Sequence, residues 1–323
     1  RKSRFESWVP NHFPPNQHVV DQQPRSMSSR ANESANRPVA RSTTGQGMLY
    51  MIAGTFLLTL QDGITKWLTA DFHAGEIMFY RGLWMFPALA VLIHFNGGPR
   101  TLRLQQPAGV IWRGVAALGA SILVTVSFKN MPLAEASAVV FVSPLLLTAV
   151  SPWLLGEQVG WQRWGAVAFG FIGVLVMVQP GTDAFDMWVL FPLAASVFSA
   201  ARDVMTRRYC ARDSASAVMF YTSLVACLAG AATLPFGTHW PSLSQWSLFM
   251  AGGTILSFAH VLIVKAFQLA PGAPVSAMKY FSLVWAAMIG FMVWGDVPGP
   301  MKLLGAALVV AAGMFILYRE TKR

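Results

Sequence analysis

From Gly47 onward the chain is a succession of apolar stretches, each about the ~20 residues a helix needs to cross the hydrocarbon of a bilayer. They fall at 47–69, 75–95, 109–129, 133–155, 162–180, 187–207, 214–236, 245–267, 273–295 and 299–319. This spacing predicts an all-α membrane protein of ten transmembrane helices. The connections are short and several carry Pro, Gly or Asn, as in Asn96-Gly97-Gly98-Pro99, Met131-Pro132, Gln179-Pro180-Gly181 and Ala270-Pro271-Gly272. Residues 1–46 are polar, rich in Ser, Asn, Pro, Gln and Arg, and contain no apolar run. Such a composition cannot bury enough surface to fold, and it lacks the hydrophobic stretch of a signal peptide. It reads as a disordered cytoplasmic leader. The chain opens on Arg1 rather than Met, so a fragment or an over-extended start is expected, with Met27 or Met48 as alternative first residues.

Composition agrees with the pattern. Hydrophobic residues make up 54% and charged residues 12% of the 323 positions, with a mean hydropathy of +0.49. A soluble domain carries roughly a quarter charged residues, so lipid must cover the surface that charge does not. The net charge of +10 does not indicate nucleic acid, because basic residues occur in the leader and then singly or in pairs between apolar runs. With the N-terminus inside, 19 of the 24 Lys and Arg fall on the cytoplasmic side, Arg113, Arg202 and Arg207 among them. Lys66, Lys129 and Lys302 lie outside, and Arg81 and Lys279 lie within helices. Both termini are then cytoplasmic, which requires an even number of crossings in the inner membrane.

A repeat near 140 residues organises the chain. Asp62-x-x-x-Lys66 recurs 141 residues later as Asp203-x-x-x-Arg207, and Met78-Phe79-Tyr80 as Met219-Phe220-Tyr221. The offset then becomes 139, matching Phe128 to Phe267, Pro132 to Pro271, Gly156-Glu157 to Gly295-Asp296 and Gly160 to Gly299. The expected domains are the leader 1–46, a first five-helix repeat 47–180, a second 187–319 and a tail 320–323. Five crossings is an odd number, so the second repeat enters the membrane inverted. Inverted repeats of this kind support alternating access, with solute bound near the midplane where the halves meet.

Ionisable residues in hydrocarbon cost at least about 2.5–3.5 kcal/mol, so each needs protein or water around it. Asp62 and Lys66 lie one turn apart and can pair, and Asp203 and Arg207 repeat this towards the other side. Either pair reads as a gate, or its Asp as the site of a cation or proton. Arg81, whose repeat mate is Thr222, suits a solute carboxylate or an acidic partner such as Asp62. Lys279 beside Tyr280 is a second candidate contact, Trp285 can stack on a flat solute, and His260 reads as a packing histidine or a proton relay. Glu157 and Asp296 are expected to tie turns to nearby basic residues. Gly165, Gly170, Gly173, Gly305 and Gly313 let helices approach closely. Cys210 and Cys227 give no disulfide framework or metal spacing, and the six His residues are scattered, so no metal or catalytic set is expected.

These residues resemble the drug/metabolite transporter superfamily and its EamA-type ten-helix carriers over roughly 47–320. The resemblance rests on the two five-helix halves, Ser143-Pro144 followed by Gly156-Glu157, and Gly295-Asp296. It departs from the family at Asp296, where Glu is usual, and at Leu283, which stands where Pro144 has its mate. Asp62-Gly-Ile-Thr-Lys66, Phe79-Tyr-Arg81, Gln162-Arg-Trp164, Gly170-Phe-Ile-Gly173 and Asp203-Val-Met-Thr-Arg207 resemble the branch of S-adenosylmethionine uptake carriers, close to riboflavin carriers. The resemblance implies a secondary carrier or exchanger without a prosthetic group. Its expected partners are a small-molecule solute, a proton or counter-substrate and the lipid bilayer; a homodimer is admitted. The competing readings are an exporter of amino acids or toxic metabolites, a membrane enzyme, and a non-transporting scaffold or receptor.

Overall fold

A computed structural model describes residues 41–323 except 96–97, 157, 183–184, 211–212, 270–274, 276–277 and 322–323. The leader 1–40, Glu157 and most of the first turns of the ninth expected span lie outside the described residues. Among the described residues eleven α-helices follow one another: α1 (Arg41–Leu68), α2 (Ala74–Phe95), α3 (Pro107–Asn130), α4 (Leu133–Val140), α5 (Ser143–Leu154), α6 (Trp161–Val178), α7 (Leu190–Tyr209), α8 (Ala215–Thr233), α9 (Leu243–Leu269), α10 (Phe281–Trp294) and α11 (Pro300–Thr321). Among the described residues nine spans are long and apolar enough to cross a membrane, α4 and α5 counting as one, and Met278–Trp294 is a shorter apolar helix.

The expected fourth span, 133–155, is interrupted. Pro144 has no N–H to give the Val140 carbonyl, so the α-helical ladder stops at Val140 and restarts at Ser143. The repeat mate is interrupted at the matching place: a short 3-10 turn, Met278–Tyr280, precedes α10. At the 139-residue offset Phe141 corresponds to Tyr280. Their rings pack against each other, centroids 5.1 Å apart and inclined by 33°. The interruptions of the two halves therefore meet.

Helix neighbours follow the inversion. α1 packs along α9, and the mates of these two, α7 and α3, pack along each other. α2 packs on its own mate α8, and α6 on its mate α11. The α6–α11 contact is backbone on backbone: a Cβ at Gly305 would stand 2.5 Å from the Gly173 carbonyl oxygen, and one at Gly173 would stand 2.9 Å from the Gly305 carbonyl oxygen. Gly170 is similarly covered by Leu145 and Ala312, whereas Gly165 faces open space. Trp67, Trp153, Trp161, Trp188 and Trp240 remain exposed near helix ends, as aromatic belts do.

Candidate functional site

The Lys66 end of the bundle is held shut by ionic contacts. Lys66 does not pair with Asp62, as the one-turn spacing suggests. Its ammonium donates to Asp296 Oδ2 at 3.0 Å and to the Met131 carbonyl at 3.0 Å, and lies 4.8 Å over the Trp294 ring. The cause is local geometry. Lys66 is in the last turn of α1, within reach of the α10–α11 turn, where Gly295 (φ 71°) reverses the chain and aims Asp296 back. Asp296 thus ties a turn to a basic residue; its mate Glu157 lies outside the described residues. A second pair, Lys302 Nζ to Glu135 Oε2 at 2.6 Å, joins α11 to α4. Glu76 is fully buried at the same end and accepts the His73 and His239 N–H groups at 3.0 and 2.7 Å. That links the α1–α2 turn to the α8–α9 loop.

Asp62 turns towards α2, where the Arg81 guanidinium lies within electrostatic reach. Arg81 Nη1 donates to Thr65 Oγ1 at 3.3 Å, and Gln61 Nε2 donates to the same oxygen at 2.5 Å. Among the described residues no group donates a hydrogen bond to the Asp62 carboxylate. Arg81 Nε, Trp84 Nε1 and Trp285 Nε1 are buried there without an acceptor. A buried donor left unmet costs about 1–3 kcal/mol, and with Arg319 Nε there are four such donors among the described residues. Trp285 stands edge-on to Phe56, centroids 5.4 Å apart, and near Phe281 at 6.4 Å. Beside it, Thr59 Oγ1 reaches the Thr55 and Ser282 carbonyls.

The other half repeats the arrangement with different helices. Asp203 takes Arg202 Nε at 3.0 Å rather than Arg207, because Arg202 closes on the carboxylate from the next position. Arg113 was read as a topology charge, yet it enters the bundle and donates Nε–H to Thr206 Oγ1 at 2.8 Å and Nη1–H to Thr222 Oγ1 at 2.6 Å. Thr206 is the mate of Thr65, and Thr222 of Arg81. The signal available in the sequence was that an Asp203 matching Asp62, with Thr222 where Arg81 stands, needs a cation from elsewhere. Lys279 sits deep among the helices within electrostatic reach of Asp203, Arg202 and Arg207, yet it stays solvent-accessible. Arg202 and Asp203 retain 35% and 39% of their side-chain surface, against 11% and 22% for Lys66 and Asp296. The Arg202–Asp203 pair is thus more accessible than the Lys66–Asp296 pair. Tyr280 is buried against Phe141 with its hydroxyl over Gly313. His260 Nδ1 lies 2.8 Å from the Leu256 carbonyl oxygen, which leaves Nε2 as acceptor, and it is within electrostatic reach of both Arg81 and Arg113. An apolar groove of about 470 Å³ between α6 and α11 is lined by Trp161, Phe169 and Phe315 and lies apart from these charges.

An inverted pair of helical repeats, interrupted at matching points and closed at one end over buried charge, is the architecture of a multi-pass secondary transporter. Residues 45–179 and 186–318 each match the EamA-like transporter family, and the chain belongs to that family. It is 25% identical over 286 residues to an S-adenosylmethionine uptake transporter of Rickettsia prowazekii, covering 88% of this chain and 96% of the relative. It is 26% identical to a riboflavin transporter of Vibrio cholerae (86% and 95% covered) and 26% identical to the pseudopaline exporter CntI of Pseudomonas aeruginosa (82% and 94%). A solved crystal structure superposes with a TM-score of 0.57 at 19% identity, covering 87% of this chain and 99% of that one. That likeness concerns the fold alone.

Proposed function

We propose that the chain is an alternating-access carrier of a zwitterionic nucleoside-type metabolite, S-adenosylmethionine or a close analogue. It lies in the inner membrane with both termini cytoplasmic and the Lys66 end outward. One observation carries the reading: Asp62 lies inside the bundle beside Arg81, accepts no hydrogen bond among the described residues, and so keeps its lone pairs for a cationic solute. A neutral flavin would offer that carboxylate only uncharged N–H and O–H donors, whereas the Trp285, Phe56 and Phe281 rings serve any flat heterocycle. The relatives named for S-adenosylmethionine uptake support the same choice.

The test is uptake of labelled S-adenosylmethionine and of riboflavin into proteoliposomes, with and without internal solute and a pH gradient. Saturable uptake of the first that is lost in Asp62→Asn supports the reading. Stimulation by internal solute identifies an exchanger, and stimulation by the gradient a proton-coupled carrier. Uptake of riboflavin alone would overturn it. The likeness to CntI favours export as a second reading, and counterflow from preloaded vesicles measures it directly.

A further inference from the structure

We propose that Arg113 receives the carboxylate of the transported zwitterion, so that the solute's cation and anion are held at two stations built by the two repeats. The inference rests on the carrier reading above and adds the chemistry of its anionic end.

Arg113 is the seventh residue of α3, and a guanidinium at that depth needs anionic or polar partners. Its plane is fixed by Thr206 and Thr222. Each hydroxyl spends its own hydrogen on a helix carbonyl, Thr206 on Arg202 O and Thr222 on Val218 O, both at 2.7 Å, so each oxygen faces Arg113 only as acceptor. Two of the five guanidinium hydrogens are thereby used and the Nη2 edge is left over. No carboxylate of a described residue bonds to it. Of the charged groups within its electrostatic reach Arg202 is a like charge, and the carboxylate, Asp203, is bonded to Arg202. A pre-oriented guanidinium with an unshared edge matches a carboxylate in shape and charge.

The repeat gives the arrangement its meaning. At the 141-residue offset Asp62, Thr65 and Arg81 correspond to Asp203, Thr206 and Thr222. In the first half the arginine on Thr65 has a free carboxylate beside it, and in the second the arginine on Thr206 has a carboxylate already taken. One station therefore presents an unbonded anion and the other an unbonded cation edge. Asp62 stands six residues from the end of α1 and Arg113 six residues into α3, about 9 Å from opposite ends of the bundle at 1.5 Å per residue. The two stations therefore lie towards opposite faces of the membrane. His260 lies within electrostatic reach of Arg81 and Arg113 alike.

The test compares equilibrium binding of S-adenosylmethionine and of decarboxylated S-adenosylmethionine, which keeps the sulfonium and adenosyl groups, to the full chain in nanodiscs. The wild type is expected to prefer the carboxylated ligand by on the order of 10–100-fold. Arg113→Gln should erase that preference and leave affinity for the decarboxylated ligand within about threefold. Arg113→Lys should restore part of it, and Thr222→Val, which frees the guanidinium to swing, should weaken it. Equal loss of both ligands in Arg113→Gln would make Arg113 a packing residue and overturn the inference. So would an unchanged preference, or a wild type that binds both alike. A wild type that binds neither overturns the substrate reading, and this inference with it.

Discussion

Asp296→Asn removes the negative partner of the Lys66 ion pair without changing the shape of the site. Both side chains are largely enclosed, Lys66 at 11% and Asp296 at 22% accessibility, so water screens the pair poorly. Stranding one member of a buried pair costs about 3–5 kcal/mol. Lys66 keeps the Met131 carbonyl at 3.0 Å and the Trp294 ring at 4.8 Å, the ring contact being worth about 0.5–2 kcal/mol. The closed arrangement should therefore lose about 2–3 kcal/mol relative to one in which Lys66 reaches water, which shifts the closed-to-open ratio roughly 30–150-fold. Ile289 is buried beneath the pair, against Gly63. A cysteine placed there should react with a polar maleimide slowly in the native background and faster by that factor in Asp296→Asn. Cys210 and Cys227 are buried, and burial pushes the Cys210 thiol up, so background labelling should be low. In Lys66→Met/Asp296→Asn no charge is stranded, and labelling should fall back towards the native rate. Labelling in Asp296→Asn within about twofold of native would refute the latch, and a double variant as open as the single would refute the stranded charge as its cause.

Glu135→Gln should open the same end less, about fivefold or below, because Lys302 keeps 36% of its side chain accessible and solvent screens its charge; the same cysteine reports it. Arg81→Ala should abolish solute flux in proteoliposomes while the protein still inserts and elutes as a single species, and normal flux would remove Arg81 from the site. Gly305→Leu drives a side chain into the Gly173 carbonyl and should cost about 2 kcal/mol or more, read as a thermal-unfolding midpoint lowered by a few degrees in detergent. An unshifted midpoint would show that α6 and α11 can part without loss.

Run length alone exposed the spans, and the offset of Asp62, Tyr80, Pro132 and Gly160 to their mates exposed the inversion, because both survive in one dimension. The interruption at Phe141–Val142 did not show in the apolar run, and proline alone does not signal it, since Pro87 and Pro152 lie inside α2 and α5 without ending them. The partners of the charges were not readable either. The one-turn rule that paired Asp62 with Lys66 describes an isolated helix in water. In the bundle Lys66 finds Asp296 from 230 residues away. Arg113 was hidden for a related reason. Its distance from the end of its helix suits a topology charge equally well, and only the fold shows that two threonines of α7 and α8 have claimed it.

The packed rings of Phe141 and Tyr280 have a pharmacological consequence. Each belongs to the break in regular helix of one half, so the two breaks share a single seam. A small planar compound wedged between the rings would brace both breaks at once. It would slow passage equally from either face of the membrane, and raising the solute concentration would not relieve the block.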